Sequence, residues 1–407
     1  MSTPLSFDVT IIGGGAIGAL FALSLVHDCS LKKTPPYKIA LIDQTPLETL
    51  LNPETDGRTF ALTTSAYDLL QKLDIWKNLA SHASPILNIL VTEGNRQDGL
   101  HYDHESVQRP FGYIVESSLL RKEIFLKLQN TKNVTFLTPF KLASLKKETS
   151  HVTLFLENGV TITTRLLVGA DGKNSKVRDL LGFDVFHFPY PQHALVCHFS
   201  HTYPHRGWSI EAFYPEGPFA VLPLKGTQDA PHQSGLVWTS SPEEIKHLST
   251  LDPKDFDAAL SLKLDPHRYG TPHLVSRRWT YPLSAHVTPT FITERAVLLG
   301  DSAHGIHPVA GQGLNLGIRD VESLSSEVSK ALSLGLDPGS LVFLENYQKS
   351  RRMDILSLLG ITHGLIRLFS NSSRILRFLR ENGLLMINSL PSLKRFFVSE
   401  AMGKSSR

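Results

Sequence analysis

Residues 299–320 read LGDSAHGIHPVAGQGLNLGIRD, and their order decides what fold surrounds them. The hydrophobic run 296–299 predicts a buried strand, which Gly300-Asp301 ends in a turn where a carboxylate projects into a crevice. Past Pro308 the side-chain-poor Ala310-Gly311-Gln312-Gly313 leads into helical spacing at Leu314, Ile318, Val321 and Leu324. The start of such a helix offers unpaired N–H groups and partial positive charge, which suits a flat ring that turns anionic when reduced. Asp301 would grip a polyol and the backbone of 311–315 would lie along the ring, as for a flavin. A glycine turn that only lets a helix pack closely on a strand is the other reading of the same residues.

The N-terminus supplies a matching half. Residues 8–12 form a β-branched run, followed by Gly13-Gly14-Gly15-Ala16-Ile17-Gly18 and an apolar helix over 19–26. In this strand–turn–helix, Gly13 permits the tight turn, Gly15 lets backbone approach a pyrophosphate, and Gly18 seats the helix against the sheet. The motif is weak alone and gains from a second strand, 38–42, that ends in Asp43, where a ribose-binding acid is expected. An acid there favours a free 2′-hydroxyl, as in FAD or NAD; a surface aspartate without a ligand is the alternative. Arg58 of Asp56-Gly57-Arg58 is either a fork for phosphate or ring edge, or a clamp on Asp56. A helix over 65–73 follows. Arg121 stands in the first turn of a helix capped at Ser117 or Ser118, an unfavourable place for a cation unless it faces an anion such as a cofactor pyrophosphate. A second strand-ending carboxylate, Asp171 in Gly169-Ala170-Asp171-Gly172, is expected to lock its turn and to pair with Arg178.

At 407 residues the chain holds two or three domains. Hydrophobic content of 41% and charged content of 19% describe an ordinary globular protein. A net charge of +3, with no basic stretch interleaved with aromatics, argues against nucleic acid. Two cysteines, Cys29 and Cys197, exclude a disulfide framework and suit a reducing compartment, the cytoplasm by default. Neither a signal peptide nor an apolar run of membrane-spanning length is expected. The segments 134–137, 142–145, 152–156, 160–167 and 166–168 read as strands. From 187 to 281 the pattern changes to extended segments separated by Pro and Gly, as in an antiparallel sheet. Its Trp208, Phe213, Phe219 and Trp238 either roof a pocket or fill a core.

The fold class so predicted is α/β: a Rossmann-like FAD-binding domain with an inserted, mostly antiparallel β-sheet substrate domain and a C-terminal helical tail. The FAD-binding domain takes residues 1–75, 108–182 and 283–350. The substrate domain takes 183–282 with strands from 76–107, and basic amphipathic helices take 351–407. That tail has ten Lys or Arg and three Asp or Glu, so 10 − 3 gives +7 against −4 for residues 1–350. It packs on the flavin domain with a solvated basic face, or it touches anionic lipid or a partner.

GGGAIG with Asp43, GADG at 169–172 and GDSAH followed by HPVAGQGLNLG resemble the class A flavoprotein aromatic hydroxylases. Within that family, DGRTFAL, GPFAVLPL, HPVAGQGLNLGIRDVESL and LGITHGLIRLFSN look like the ubiquinone-biosynthesis hydroxylases acting on polyprenylated phenols, so the likeness covers nearly the whole chain. Asp43 stands where many relatives carry Glu, which preserves the charge. The resemblance implies bound FAD, NADPH or NADH as transient donor, O2 as second substrate, and attack on a phenol through a flavin hydroperoxide. Gly13, Gly15, Ala16, Ile17, Gly18, Asp43, Arg58, Arg121 and Asp171 would serve the dinucleotide. Gly300, Asp301, Gly311, Gln312, Gly313, Leu314 and Asn315 would serve the flavin end, and Pro308 and Val309 the substrate side. His307 and His304 stand near enough to act as bases, or are hydrogen-bonded structural residues. A zinc site is not expected, because HxxH lacks further ligands nearby. The tail would meet a quinone-biosynthesis complex or the inner face of the membrane. Hydroxylation of a small soluble aromatic, or a non-catalytic flavin-binding role in an assembly, stays open.

Overall fold

Leu5–Ile12 is paired on both edges and covered on both faces, and the first unit is built around it. It runs parallel to Ile39–Ile42 on one side and to Thr161–Gly169 on the other. A strand so enclosed needs apolar residues on both faces, and Val9, Ile11 and all four residues of Ile39–Ile42 are buried. Val134–Leu137 extends the sheet beyond Ile39–Ile42, and Ala296–Leu298 extends it beyond Thr161–Gly169. Ile292–Thr293 closes that edge in antiparallel sense. The computed structural model describes residues 4–32, 36–94, 96, 99–307 and 311–369.

Two strands expected at 160–167 and 166–168 are one, Thr161–Gly169. Its outer edge is shared by two short partners: Val152–Leu156 antiparallel along the first half, Ala296–Leu298 parallel along the second. The change of partner explains why the sequence looks interrupted. The first helix is longer than its apolar run, Ala16–Lys32 rather than 19–26. The helix expected at 65–73 spans Thr64–Lys72 because the Thr63 hydroxyl accepts from Ala66 N and caps it.

The second unit is a nine-stranded sheet with the long strand Phe186–His201 between Trp279–Val287 and His232–Ser240. Gly217–Lys225 and Trp208–Tyr214 continue it, and Asn88–Glu93 joins parallel to Trp208–Tyr214. Successive side chains alternate between faces. Leu195, Cys197, Phe219, Val221, Leu236 and Trp238 pack with Ile245, Leu248, Phe256 and Leu260 of the helices Pro242–Thr250 and Pro253–Ser261. The opposite face, with Ala194, Val196, Ala220, Leu222 and Val237, lines a cavity. The four aromatics therefore divide: Phe219 and Trp238 are core, Phe213 faces the cavity, and Trp208 lies under the Arg268 guanidinium at 3.9 Å.

Two helices close the molecule. Gly313–Ser333 packs on Ala16–Lys32; at Gly317, inside it, a Cβ would come within 2.7 Å of the Ile17 side chain. Leu341–Phe369 is tied to it by ionic groups. Fully buried Asp320 accepts from His304 Nε2 at 2.6 Å, Arg351 Nε at 2.7 Å and Gly300 N at 3.2 Å. Arg319 Nη1 reaches Asp354 Oδ1 at 2.7 Å. The tail up to His363 thus packs on the first unit and touches the second where the Tyr190 hydroxyl meets His363 Nδ1 at 3.1 Å; the apolar and basic side chains from Leu365 onward that suggested a lipid-binding face lie outside the described side chains.

Candidate active site

Parallel strands all end at one edge of a sheet, and ligands gather there where the chain order switches sides. Here the switch falls between Leu5–Ile12 and Thr161–Gly169. Gly13 N donates to Ile42 O at 2.8 Å, Ala170 N to Ile12 O at 2.7 Å, and Leu299 N to Gly169 O at 2.8 Å, so three glycine-bearing turns are fastened side by side. Gly13 has φ +111° and no room for a Cβ, which would sit 2.2 Å from Ala170 O. Gly18 is as tightly held, 2.1 Å from Gly13 O. At Gly15 a Cβ would meet nothing within 4 Å. The backbone there is open to the cavity, as a phosphate cradle at a helix start requires.

One cavity of about 800 Å³ runs from this turn to the face of the second sheet. Gly15, Ala16, Ile17, Arg58, Arg121, Asp301, Gly311, Gln312, Gly313, Leu314 and His307 all line it. The ends of the chain expected to share a ligand therefore do share a cavity. Gly13, Gly18, Gly300 and Asn315 are buried behind the wall, and Asp43 and Asp171 are half-buried beside it. Asp43 orders the first turn, accepting from Gly14 N at 2.5 Å and Thr45 N at 2.7 Å. Asn315 is spent on the scaffold: its amide donates to Ala61 O at 2.7 Å and accepts from Thr63 N at 3.0 Å, binding the strand Thr59–Thr63 to the helix start. Pro308 and Val309 lie outside the described residues.

The expected Asp171–Arg178 pair is absent. Asp171 accepts from the Ser175 hydroxyl and from Val177 N at 3.1 Å, and that hydroxyl, accepting from Arg178 N at 3.0 Å, caps the short helix Lys176–Leu180. Arg178 turns inward and donates to Ser302 O at 3.2 Å and Lys173 O at 3.0 Å. Main-chain carbonyls of two turns take Nη1 and Nη2 of the buried guanidinium, while the Asp171 carboxyl is already engaged by Ser175 and Val177 N. Burial raises the pKa of Asp171, against the hydrogen bonds from Ser175 and Val177. Arg58 clamps Asp56, Nε to Oδ2 at 2.8 Å, while standing on the cavity wall 5.9 Å from the Tyr281 ring centre. Arg121 reaches Glu54 O at 3.4 Å and lies 4.0 Å from Asp56.

The two histidines of HGIH separate. His304 points away from the cavity to Asp320 and belongs to the scaffold. His307 lines the cavity and meets the Tyr190 ring edge-on at 4.8 Å. Burial lowers its pKa to about 4, so it is a neutral imidazole at pH 7. His286 is likewise lowered to about 4, by burial, while it holds Asp301 O at 2.8 Å. The Asp301 carboxylate is open to the cavity, and enclosure there raises its pKa while His304 and Arg58 oppose the rise. Sequence reasoning missed Arg319, which lines the cavity and is held by Asp354, and Leu358, Ile361 and Thr362 of the last helix, which close one end of it. It also missed Glu211, the single carboxyl on the cavity face of the second sheet among the described residues.

Residues 6–355 match the FAD binding domain family. The chain is 37% identical over 396 residues to ubiquinone hydroxylase UbiL of Rhodospirillum rubrum, covering 97% of this chain and 89% of that protein. It is 30% identical to human ubiquinone biosynthesis monooxygenase COQ6, covering 97% of this chain and 92% of the relative. Among solved structures, p-nitrophenol 4-monooxygenase PnpA from Pseudomonas putida shares the fold with a TM-score of 0.79 at 17% identity, over 99% of this chain and 100% of the other.

Proposed function

The chain belongs to the FAD binding domain family, and on that premise we propose that it is an FAD-dependent monooxygenase that hydroxylates the aromatic ring of a polyprenylated phenol in ubiquinone biosynthesis. NADPH or NADH is the transient electron donor and O2 the source of the added oxygen. The observation that carries this reading is one continuous cavity, with an open glycine cradle at Gly15 and a largely apolar sheet face sharing one wall. A soluble, charged aromatic would need polar partners across that face; a prenylated ring needs apolar ones. The relatives named for ubiquinone hydroxylation span nearly the whole chain, which supports the same substrate class.

The residues present fit the cofactor. Gly15, Ala16 and Ile17 would meet its pyrophosphate at the start of the helix Ala16–Lys32, with Gly13 and Gly18 keeping that turn tight. Asp43 would serve the ribose and Asp301 the ribitol. Gly311, Gln312, Gly313 and Leu314 would lie along the ring, with Arg58 and Arg121 balancing negative charge, and Asn315, Gly300 and Asp171 hold these groups from behind. Bound there, FAD supplies the oxygen-activating chemistry that no side chain of the chain carries. The protein contributes position and dryness: His307 and His286 stay neutral in the wall, and Leu358, Ile361 and Thr362 cover one end. The enzyme works in the cytoplasm, attached peripherally to the inner face of the membrane or to a quinone-biosynthesis complex. Extraction of quinone precursors after removing the protein from its cell tests the reading. A prenylated precursor lacking one ring oxygen should accumulate; an unchanged quinone profile counts against it.

A further inference from the structure

The strand Trp208–Tyr214 reads WSIEAFY. Alternation sends Ser209, Glu211 and Phe213 to the cavity, while Ala212, Ile210 and Tyr214 go to the second core. In register, Glu211 stands between Val91 of Asn88–Glu93 and Ala220 of Gly217–Lys225. Leu222, Phe213 and Ile89 share its face. Among the described residues no hydrogen bond or ion pair reaches its carboxyl, and burial pushes its pKa up to about 7. A carboxyl in an apolar wall is destabilising unless something hydrogen-bonds it. Valine or leucine would fill this strand position without that penalty, so the group is explained by what enters the cavity.

We propose that Glu211 receives the hydroxyl of the substrate's phenol ring. The assignment rests on reading the cavity as a phenol hydroxylase site. In the bound complex a Glu211 carboxylate oxygen accepts a hydrogen bond from the phenolic O–H. As the ring is attacked, that O–H bond breaks, the proton passes to the carboxylate, and the electron pair stays on the phenol oxygen and enriches the ring. The oxygen joined to the attacked carbon comes from O2, whose other atom leaves as water with two electrons from NAD(P)H; the attacked carbon's hydrogen leaves as a proton taken up in that water, the ring becomes aromatic again, and the carboxyl returns its proton to the phenol oxygen. A carboxyl poised near neutrality can make both transfers. The apolar residues around it are left to recognise the prenyl group.

The test uses FAD-loaded protein with ortho-prenylphenol and its O-methyl ether as probes, their binding followed by the change in flavin absorbance. The wild type should prefer the phenol by about tenfold or more, the worth of a hydrogen bond to a charged acceptor. Glu211→Leu should keep its FAD, melt no lower than the wild type, and lose the preference. Glu211→Gln keeps an acceptor but takes no proton; it should retain part of the preference and form hydroxylated product about a hundredfold more slowly. An E211L protein that still discriminates as the wild type does, or an E211Q protein with wild-type product formation, overturns the assignment. A wild type that binds neither probe overturns the phenol-hydroxylase reading itself, and the assignment with it.

Discussion

At the scale of single residues, two glycines three positions apart have opposite reasons to be glycine. Gly18 is closed, with the space of a Cβ taken by Gly13 O at 2.1 Å; Gly15 is open, with nothing within 4 Å. Gly18→Ala should therefore cost several kcal/mol of stability, roughly the penalty of forcing atoms into a packed backbone. Gly15→Ala should melt within about 0.5 kcal/mol of the wild-type apoprotein yet bind FAD at least tenfold more weakly. Thermal denaturation with and without added FAD reads both, and a G15A protein with undiminished affinity would remove Gly15 from the phosphate cradle. His307 gives a second residue-scale test. It is fully buried with a pKa lowered from 6.5 to about 4. Below pH 6.5 the unfolded chain takes up a proton that the folded chain refuses. Stability is thus intact above 6.5 and falls as pH drops toward 4, by roughly 3 kcal/mol at one residue. His307→Gln should flatten that acid slope in urea titrations at pH 7 and pH 5, and an unchanged slope would assign the loss elsewhere. The glycine turns were readable in the sequence because each reflects a local demand on the backbone. Glu211 was not, because its alternation with Ser209 reads as the solvent side of a strand, and only the assembled sheet shows that this face lines a cavity while Ile210 and Ala212 face a core.

At the scale of elements, the helices Gly313–Ser333 and Leu341–Phe369 are joined by charge inside an apolar junction. Burial raises the pKa of Asp320, but His304 and Arg351 outweigh it and hold the carboxyl below its ordinary value. Its contribution is accordingly present above the unfolded carboxyl pKa and lost as pH falls below it. Asp320→Asn removes the carboxylate shared by His304 and Arg351, leaving Arg351 only Asp354 at 2.6 Å, and should cost about 3 kcal/mol, the lower end of what breaking a buried ion pair costs. The double variant Asp320→Asn with Arg351→Met should recover part of the loss, and urea unfolding at pH 7 measures both; equal melts for D320N and wild type would show that the junction does not depend on the pair. Helical spacing at Leu314, Ile318, Val321 and Leu324 made the first of these helices legible, since Ile318, Val321 and Leu324 face the core and Leu314 the cavity. The ionic junction was illegible because Gly300, His304, Asp320 and Arg351 meet only after strand, turn and both helices are in place. The same reason accounts for Arg178: the carbonyls it binds belong to turns far apart in sequence.

At the scale of the whole molecule, the sequence reads well where chain order and space agree, and the strand Leu5–Ile12, its glycine turn and the helix Ala16–Lys32 are such a case. It is silent where two units meet, since the cavity takes its wall from the first sheet's turns, the second sheet's face and the last helix together. The charge of the chain is also divided along its length. Beyond Asn371 there are seven Lys or Arg and two Glu, so 7 − 2 gives +5 on the last 36 residues of a chain whose total is +3. Each basic residue near an anionic bilayer contributes about 1 kcal/mol, screened within a Debye length. A protein ending at Asn371 keeps the whole helix Leu341–Phe369 and every described residue lining the cavity. It should hold FAD and melt as the full chain does, while sedimenting at least tenfold less with vesicles rich in anionic lipid. Raising the salt to about 0.5 M should release the full chain from those vesicles and leave the shortened one unchanged. Equal sedimentation of the two would take membrane attachment away from the tail, and equal loss of both FAD and vesicle binding would instead make the tail part of the folded scaffold.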